Sequence, residues 1–241
     1  MIVIPMAGLS SRFFKAGYEL PKYMLEAHGE SLFDHSIKSF QAYFENIRFV
    51  FIVRDVFNTP EFVKQRAVAL NIKDYDIVVL NEETRGQAET VTLGLSSYRE
   101  GIEPITIFNI DTFRPSFEYP NLEQLGDGYL EVFKGSGDNW SFVRPISDSS
   151  TQVDLTTEKN PISDLCCTGL YHFKSIQDYF EAYDYYLSIP KERWEKGELY
   201  VAPLYNYLIK KGKNIHFHRI DNDDVIFCGT PSEYTSFVEK V

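Results

Sequence analysis

The first 110 residues alternate short apolar runs with helical patterns, and that alternation constrains the fold more than any other feature. Ile2–Met6, Arg48–Val53, Asp76–Leu80 and Pro104–Ile110 read as strands. Between them Ser31–Phe44, Pro60–Leu70 and Gln87–Tyr98 read as helices, the first with Ser31 as its N-cap. Runs of strand length separated by helices predict right-handed βαβ units and a parallel sheet covered on its faces.

The pattern then changes. Tyr129–Phe133, Ser141–Arg144, Gln152–Glu158 and Thr168–Phe173 read as short strands divided by Gly, Asp and Ser turns. Helices are expected at about Ile176–Ser188 and Leu199–Lys210, then a strand at Asn214–Ile220. A last helix opens at Thr230-Pro231, with Thr as N-cap and Pro at the first helical position. With no internal repeat and no low-complexity linker, a single domain over residues 1–241 is expected. Its second half adds a β-rich lobe over the sheet edge.

Composition removes several function classes. The net charge of −11 opposes a broad nucleic-acid or anionic-membrane surface, which needs a basic face. Dense apolar stretches such as Phe49–Val53 are far shorter than the ~18–20 residues of a membrane span. No basic region precedes the apolar Ile2–Ile4 run, so a signal peptide is not expected. Cys166, Cys167 and Cys228 make neither a disulfide framework nor a CxxC knuckle. The adjacent pair reads as small buried strand residues, and a reducing cytoplasm is the expected location.

The chemistry starts where the first strand ends, at Ala7-Gly8-Leu9-Ser10-Ser11-Arg12, with Pro21-Lys22 following. Small residues let main-chain N–H groups turn inward against an anion, and two hydroxyls add donors. Arg12 offers a fork for phosphate oxygens and Lys22 a second point charge. Arg12, Lys15 and Lys22 face a single acidic residue, Glu19, in that stretch of an otherwise acidic chain. Such a local inversion of charge suits a triphosphate. Further on, Asp111 follows the strand ending near Ile110, and open α/β sheets place ligands at the carboxyl ends of strands.

The Gly8–Arg12 and Pro21-Lys22 motifs resemble the N-terminal signature of the sugar-phosphate nucleotidyltransferases, with Ser10 where the pattern has its second glycine. The resemblance implies a Rossmann-like α/β fold with a mixed central sheet and a β-rich acceptor-binding lobe. It implies a nucleotide-binding half over residues 1–115 and an acceptor-binding half over 116–241. By the same resemblance Asn81, Gly86 and Gln87 form a base-reading segment. The resemblance also implies that Asp111 holds Mg²⁺ between the phosphates, which is chemically adequate because Mg²⁺ takes one or two carboxylates plus phosphate oxygens and waters.

Thr156–Pro161 resembles the family's Glu-Lys-Pro segment, with Asn160 inserted, and Cys167–Phe173 resembles the strand after it. That assigns Glu158 to acceptor hydroxyls, Lys159 to a phosphate and Gly169 to the acceptor side. Glu198–Leu204 resembles the helix opening that follows. Asp223, Asp224 and Phe227–Pro231 fall where members carry a second metal-proximal Asp. Phe227 stands at that position and cannot ligate; Asp223 or Asp224 is the candidate substitute, and Asp224 is taken as the second metal residue.

The expected activity is transfer of a nucleotide from a nucleoside triphosphate to a sugar phosphate or similar phosphorylated metabolite, with release of pyrophosphate. A pyrimidine triphosphate (CTP, UTP or dTTP), Mg²⁺ and a role in capsule or surface-polysaccharide precursor synthesis are expected. The partners are these two small molecules; a homo-oligomer stays open. Two alternatives remain, a glycosyltransferase of related fold that uses a nucleotide sugar, and a non-catalytic nucleotide-binding homologue.

Overall fold

The computed structural model describes residues 1–240. In chain order the elements begin with β1 (Ile2–Pro5), α1 (Ser11–Lys15), β2 (Glu26–Ala27), β3 (Glu30–Ser31) and α2 (Leu32–Ile37). Next come β4 (Phe49–Arg54), α3 (Thr59–Ala69), β5 (Tyr75–Leu80), α4 (Gln87–Gly94), β6 (Ile105–Phe108) and β7 (Thr112–Phe113). The chain continues with β8 (Gly128–Lys134), β9 (Ser141–Pro145), β10 (Val153–Glu158), β11 (Leu165–Phe173), α5 (Ile176–Ser188) and α6 (Tyr205–Lys210). It closes with β12 (Ile215–Arg219), β13 (Ile226–Phe227) and α7 (Pro231–Val238). The fold is mixed α/β.

Two compact units share the chain by interleaving. One contains Ile2–Glu83, Phe108–Glu118 and the segment from Asp223 onward; the other contains Met1, Thr84–Ile107 and Tyr119–Asn222.

In the first unit β1, β4 and β5 run parallel, with Ile2 opposite Phe49 and Phe49 opposite Tyr75. The five residues Phe49–Val53 are fully buried, as a strand covered on both faces requires. Helix α3 packs on β4 and β5. Helix α2 starts with a capping box in which Ser31 and Asp34 satisfy each other's backbone N–H. Asp34 is buried and is paired with Arg66 of α3 at 2.8 Å. The helix expected to reach Phe44 instead stops at Ile37 and continues as a 3₁₀ turn over Lys38–Tyr43. Phe40 breaks the helical backbone (φ −101°, ψ 22°) while its ring packs on Phe49, Phe108 and Phe117. Tertiary packing has overridden helical propensity there.

Near its C-terminus the same unit pairs β13 with β7 in antiparallel register, Ile226 with Phe113 and Phe227 with Thr112. Ala27, Leu32, Phe113, Cys228 and Phe237 form a small core beneath that pair. Helix α7 opens as expected at Thr230-Pro231, with a second capping box between Thr230 and Glu233.

The second unit is β-rich. β8, β9, β10 and β11 make antiparallel pairs, and β12 joins β8 in parallel. Cys166 and Cys167 are buried strand residues with free thiols, as their small size suggested. Helix α5 covers the range read for it, capped by Ser175. Phe173 stacks on Tyr205 with ring centroids 4.3 Å apart. Helix α6 starts at Tyr205 rather than at Leu199. Leu199 is instead bonded through its backbone to Arg85 and Ala88. The 3₁₀ turn Ala202–Leu204, with Pro203 near its start, leads into the helix.

Candidate active site

Within the first unit, buried β1 delivers the chain to an exposed turn. The parallel pairing continues through Met6, whose N–H donates to the Ile52 carbonyl at 2.9 Å, and then Gly8 and Leu9 emerge. Ser10 adopts the left-handed conformation (φ 52°) that glycine takes freely. Its carbonyl accepts the Phe13 N–H at 2.9 Å, starting α1, and its Oγ accepts the Lys22 N–H at 3.1 Å. The serine at the second-glycine position therefore ties the loop to the Pro21-Lys22 motif. Phe13 anchors α1 from below, with Tyr18 and Tyr234 against its ring. Arg12 is left exposed on the helix.

Lys22 Nζ donates to Asp111 Oδ2 at 2.5 Å, and both side chains keep about a fifth of their surface accessible. Asp111 lies between β6 and β7, and its carbonyl accepts the Cys228 N–H at 2.8 Å. Gly229 lies so close that a Cβ there would stand 2.9 Å from Asp111 Oδ2. Asp111 thus has three fixed neighbours: a lysine, a backbone donor and a glycine without a side chain. The last of these was not singled out in the sequence, although it sits in the Gly-Thr-Pro stretch.

The second metal candidate is placed differently. Asp223 and Asp224 stand exposed on a 3₁₀ turn before β13, and the Asp224 carbonyl accepts from Arg114 Nη1 at 2.5 Å. Among the described residues no group of three His, Cys, Asp or Glu side chains is arranged to hold a metal. Mg²⁺ does not need one. Asp111 offers a hard carboxylate with part of its surface open, and phosphate oxygens and waters complete such a site, so the donor chemistry fits. Asn81 is exposed just after β5.

In the second unit Gly86 and Gln87 open α4. Gly86 has φ 148°, and a Cβ there would meet the Leu199 backbone at 2.5–2.8 Å. The Ala88 N–H donates to the Leu199 carbonyl at 2.8 Å, and the Leu199 N–H to the Arg85 carbonyl at 3.0 Å. Arg85 also pairs with Glu89 and lies over the Trp194 ring. The glycine is required at this spot by close backbone approach.

Glu158, the last residue of β10, is 94% buried by side-chain neighbours that include Ser141 on β9, whose hydroxyl donates to its carboxylate. Tyr171 on β11 shares that serine at 3.2 Å. Burial raises the Glu158 pKa from 4.5 to about 7; the Ser141 hydrogen bond and the Lys159 charge oppose the rise, and Glu195 and Glu198 add to it. The Glu158 N–H is held by the Glu195 carboxylate. Lys159 is left-handed (φ 52°), donates its N–H to the Trp140 carbonyl at 2.8 Å, and donates from Nζ to Tyr200 Oη at 2.5 Å. Gly169 has φ 97° and sits where the β11–β8 register shifts. Ser141, Glu195 and Tyr200 carry no motif of their own and were not picked out from sequence; Tyr200 falls within a matched stretch.

No family model matches the chain, and no curated protein matches it. A solved structure does: the nucleoside-diphosphate-sugar pyrophosphorylase from Vibrio cholerae RC9 is 61% identical over the whole of both chains, with a TM-score of 0.95. The chain belongs to the nucleoside-diphosphate-sugar pyrophosphorylase family. It is therefore a nucleotidyltransferase of the pyrophosphorylase type. More distant structures share the fold. A UDP-glucose pyrophosphorylase complexed with UDP-glucose is 13% identical over 98% of this chain and 96% of the other (TM-score 0.73). The inositol-1-phosphate CTP transferase from T. maritima is 15% identical over 96% and 89% (TM-score 0.70). Among the described residues no helix is long and apolar enough to cross a membrane.

Proposed function

We propose that this nucleotidyltransferase joins a pyrimidine nucleoside triphosphate to a sugar phosphate or related phosphorylated metabolite and releases pyrophosphate, supplying precursors for surface polysaccharide. The observation that carries the chemical part is the Lys22–Asp111 pair beside the Gly8–Arg12 loop. The base and the acceptor class draw on structures that share the fold, a UDP-glucose pyrophosphorylase, an inositol-1-phosphate CTP transferase and a provisionally assigned glucose-1-phosphate thymidylyltransferase. Residues 1–115 are proposed as the nucleotide-binding half and 116–241 as the acceptor-binding half.

A phosphate monoester oxygen is already anionic near neutral pH, so no residue has to deprotonate it. Catalysis then rests on alignment and on neutralising charge. The backbone N–H groups of Ala7–Ser11 with the Arg12 guanidinium hold the β- and γ-phosphates. Lys22 neutralises charge on the α-phosphate. Asn81, Gly86 and Gln87 read the base. Lys159 holds the acceptor's phosphate, ionised Glu158 accepts from its hydroxyls, and Gly169 is assigned to the acceptor side. Asp111 is the carboxylate assigned to Mg²⁺, with Asp224 as the second; a bound Mg²⁺ supplies charge neutralisation at the phosphates.

A screen of CTP, UTP, dTTP, ATP and GTP against a panel of phosphorylated metabolites, read by pyrophosphate release with Mg²⁺, tests the proposal. Turnover with one of the three pyrimidine nucleotides and a sugar phosphate is expected. Turnover confined to ATP or GTP contradicts the base assignment.

A further inference from the structure

Lys159 is the proposed ligand of the acceptor's phosphate, and its ammonium is held by a residue with no role so far. Nζ donates to the Tyr200 hydroxyl at 2.5 Å and lies 4.7 Å from the centroid of the Tyr200 ring. We propose that Tyr200 is a positioning residue that presents the Lys159 ammonium to the acceptor's phosphate and ties it to the turn carrying Gly86 and Gln87. The inference rests on the assignment of Lys159 to that phosphate.

Both partners are fixed from behind. The Lys159 backbone is left-handed, a conformation uncommon for a residue with a side chain, and the Trp140 carbonyl holds its N–H. Tyr200 follows Leu199, whose N–H and carbonyl are bonded to Arg85 and Ala88, and whose backbone lies against Gly86. Val201, on the other side, is buried. Tyr200 is therefore a post seated on the Arg85–Ala88 turn.

The chemistry of the pair favours an anion. A lysine has a flexible four-carbon stem and three donors, so a free one loses rotamer freedom when it meets a ligand. One donor engaged by Tyr200 fixes the stem and leaves two for phosphate oxygens. Tyr200 offers a hydroxyl rather than a carboxylate, so this contact is a hydrogen bond and not an ion pair. Lys22 differs in this respect, because its partner is the Asp111 carboxylate.

The test uses the intact enzyme and inorganic phosphate as probe. Lys159 is acylated with an amine-reactive ester at increasing phosphate concentration, and its modification is followed by peptide mass spectrometry. In the wild-type protein phosphate protects Lys159. Tyr200→Phe keeps the ring and removes the acceptor atom; its half-protecting phosphate concentration is expected to rise about tenfold, the loss of one hydrogen bond to a charged group. Its melting temperature is expected to stay unchanged, which separates positioning from folding. Equal protection in both proteins overturns the role of Tyr200. Absence of protection in both overturns the assignment of Lys159 itself, and the inference with it.

Discussion

Lys22 and Asp111, 89 positions apart in the chain, meet at 2.5 Å, and each keeps about a fifth of its side chain accessible. The pair keeps part of its surface open to solvent and lies beside a loop whose Gly8 and Leu9 are exposed, so its charges are accessible to a ligand. Lys22→Ala is expected to lower kcat/KM by about 10²–10³-fold, equivalent to ~3–4 kcal/mol of transition-state stabilisation. Steady-state pyrophosphate release measures this.

Gly229 tests the other side of the carboxylate. An added Cβ would stand 2.9 Å from Asp111 Oδ2, and the carboxylate is the part that can move. Gly229→Ala should displace it from Lys22 and cut activity at least tenfold, with a change in stability below about 1 kcal/mol. Urea denaturation beside the rate assay separates the two effects.

Two glycines should answer oppositely to the same substitution. Gly8 has open space around it, whereas Gly86 combines φ 148° with the Leu199 backbone at 2.5–2.8 Å. Gly8→Ala is expected to leave the denaturation midpoint in place. Gly86→Ala should cost more than about 2 kcal/mol, because backbone atoms cannot yield as a side-chain tip can.

Glu158 sets a pH dependence. Its pKa stands raised to about 7 from 4.5, chiefly by burial, so the folded protein favours the neutral carboxyl. That contribution to stability is complete below 4.5 and is lost as pH rises through about 7. Glu158→Gln mimics the neutral form, so its stability relative to wild type should climb across that window by on the order of 3 kcal/mol. Thermal melts from pH 4 to pH 8 check the sign. Acceptor binding should move oppositely, since the ionised carboxylate is the form that accepts hydroxyl hydrogens: the acceptor's KM should fall as pH rises through about 7.

The strand–helix alternation was legible because β1, β4 and β5 are short, largely apolar runs, the first two of them buried, and that pattern needs no knowledge of distant contacts. The Gly8–Arg12 loop and Lys22 were legible as a linear motif, and Asp111 as a residue at a strand end. Lys22 and Asp111 were expected in one site; only their direct ion pair, between residues 89 positions apart, was not legible. The helix ends misread at Ile37 and Tyr205 fail for the same reason. Phe40 leaves the helix to pack on Phe49 and Phe108, and Leu199 bonds to Arg85 and Ala88 instead of entering α6. Ser141 and Glu195 escaped notice because ordinary polar residues become informative only once a buried carboxyl such as Glu158 is seen between them.

The most direct measurement is identification of the phosphorus product by ³¹P NMR, using the substrate pair found by the triphosphate screen, for the wild type and for Lys22→Ala. Pyrophosphate from the wild type, falling by two to three orders of magnitude in the variant, is the predicted result. Release of a nucleoside diphosphate instead, or pyrophosphate formation untouched by loss of Lys22, would contradict it.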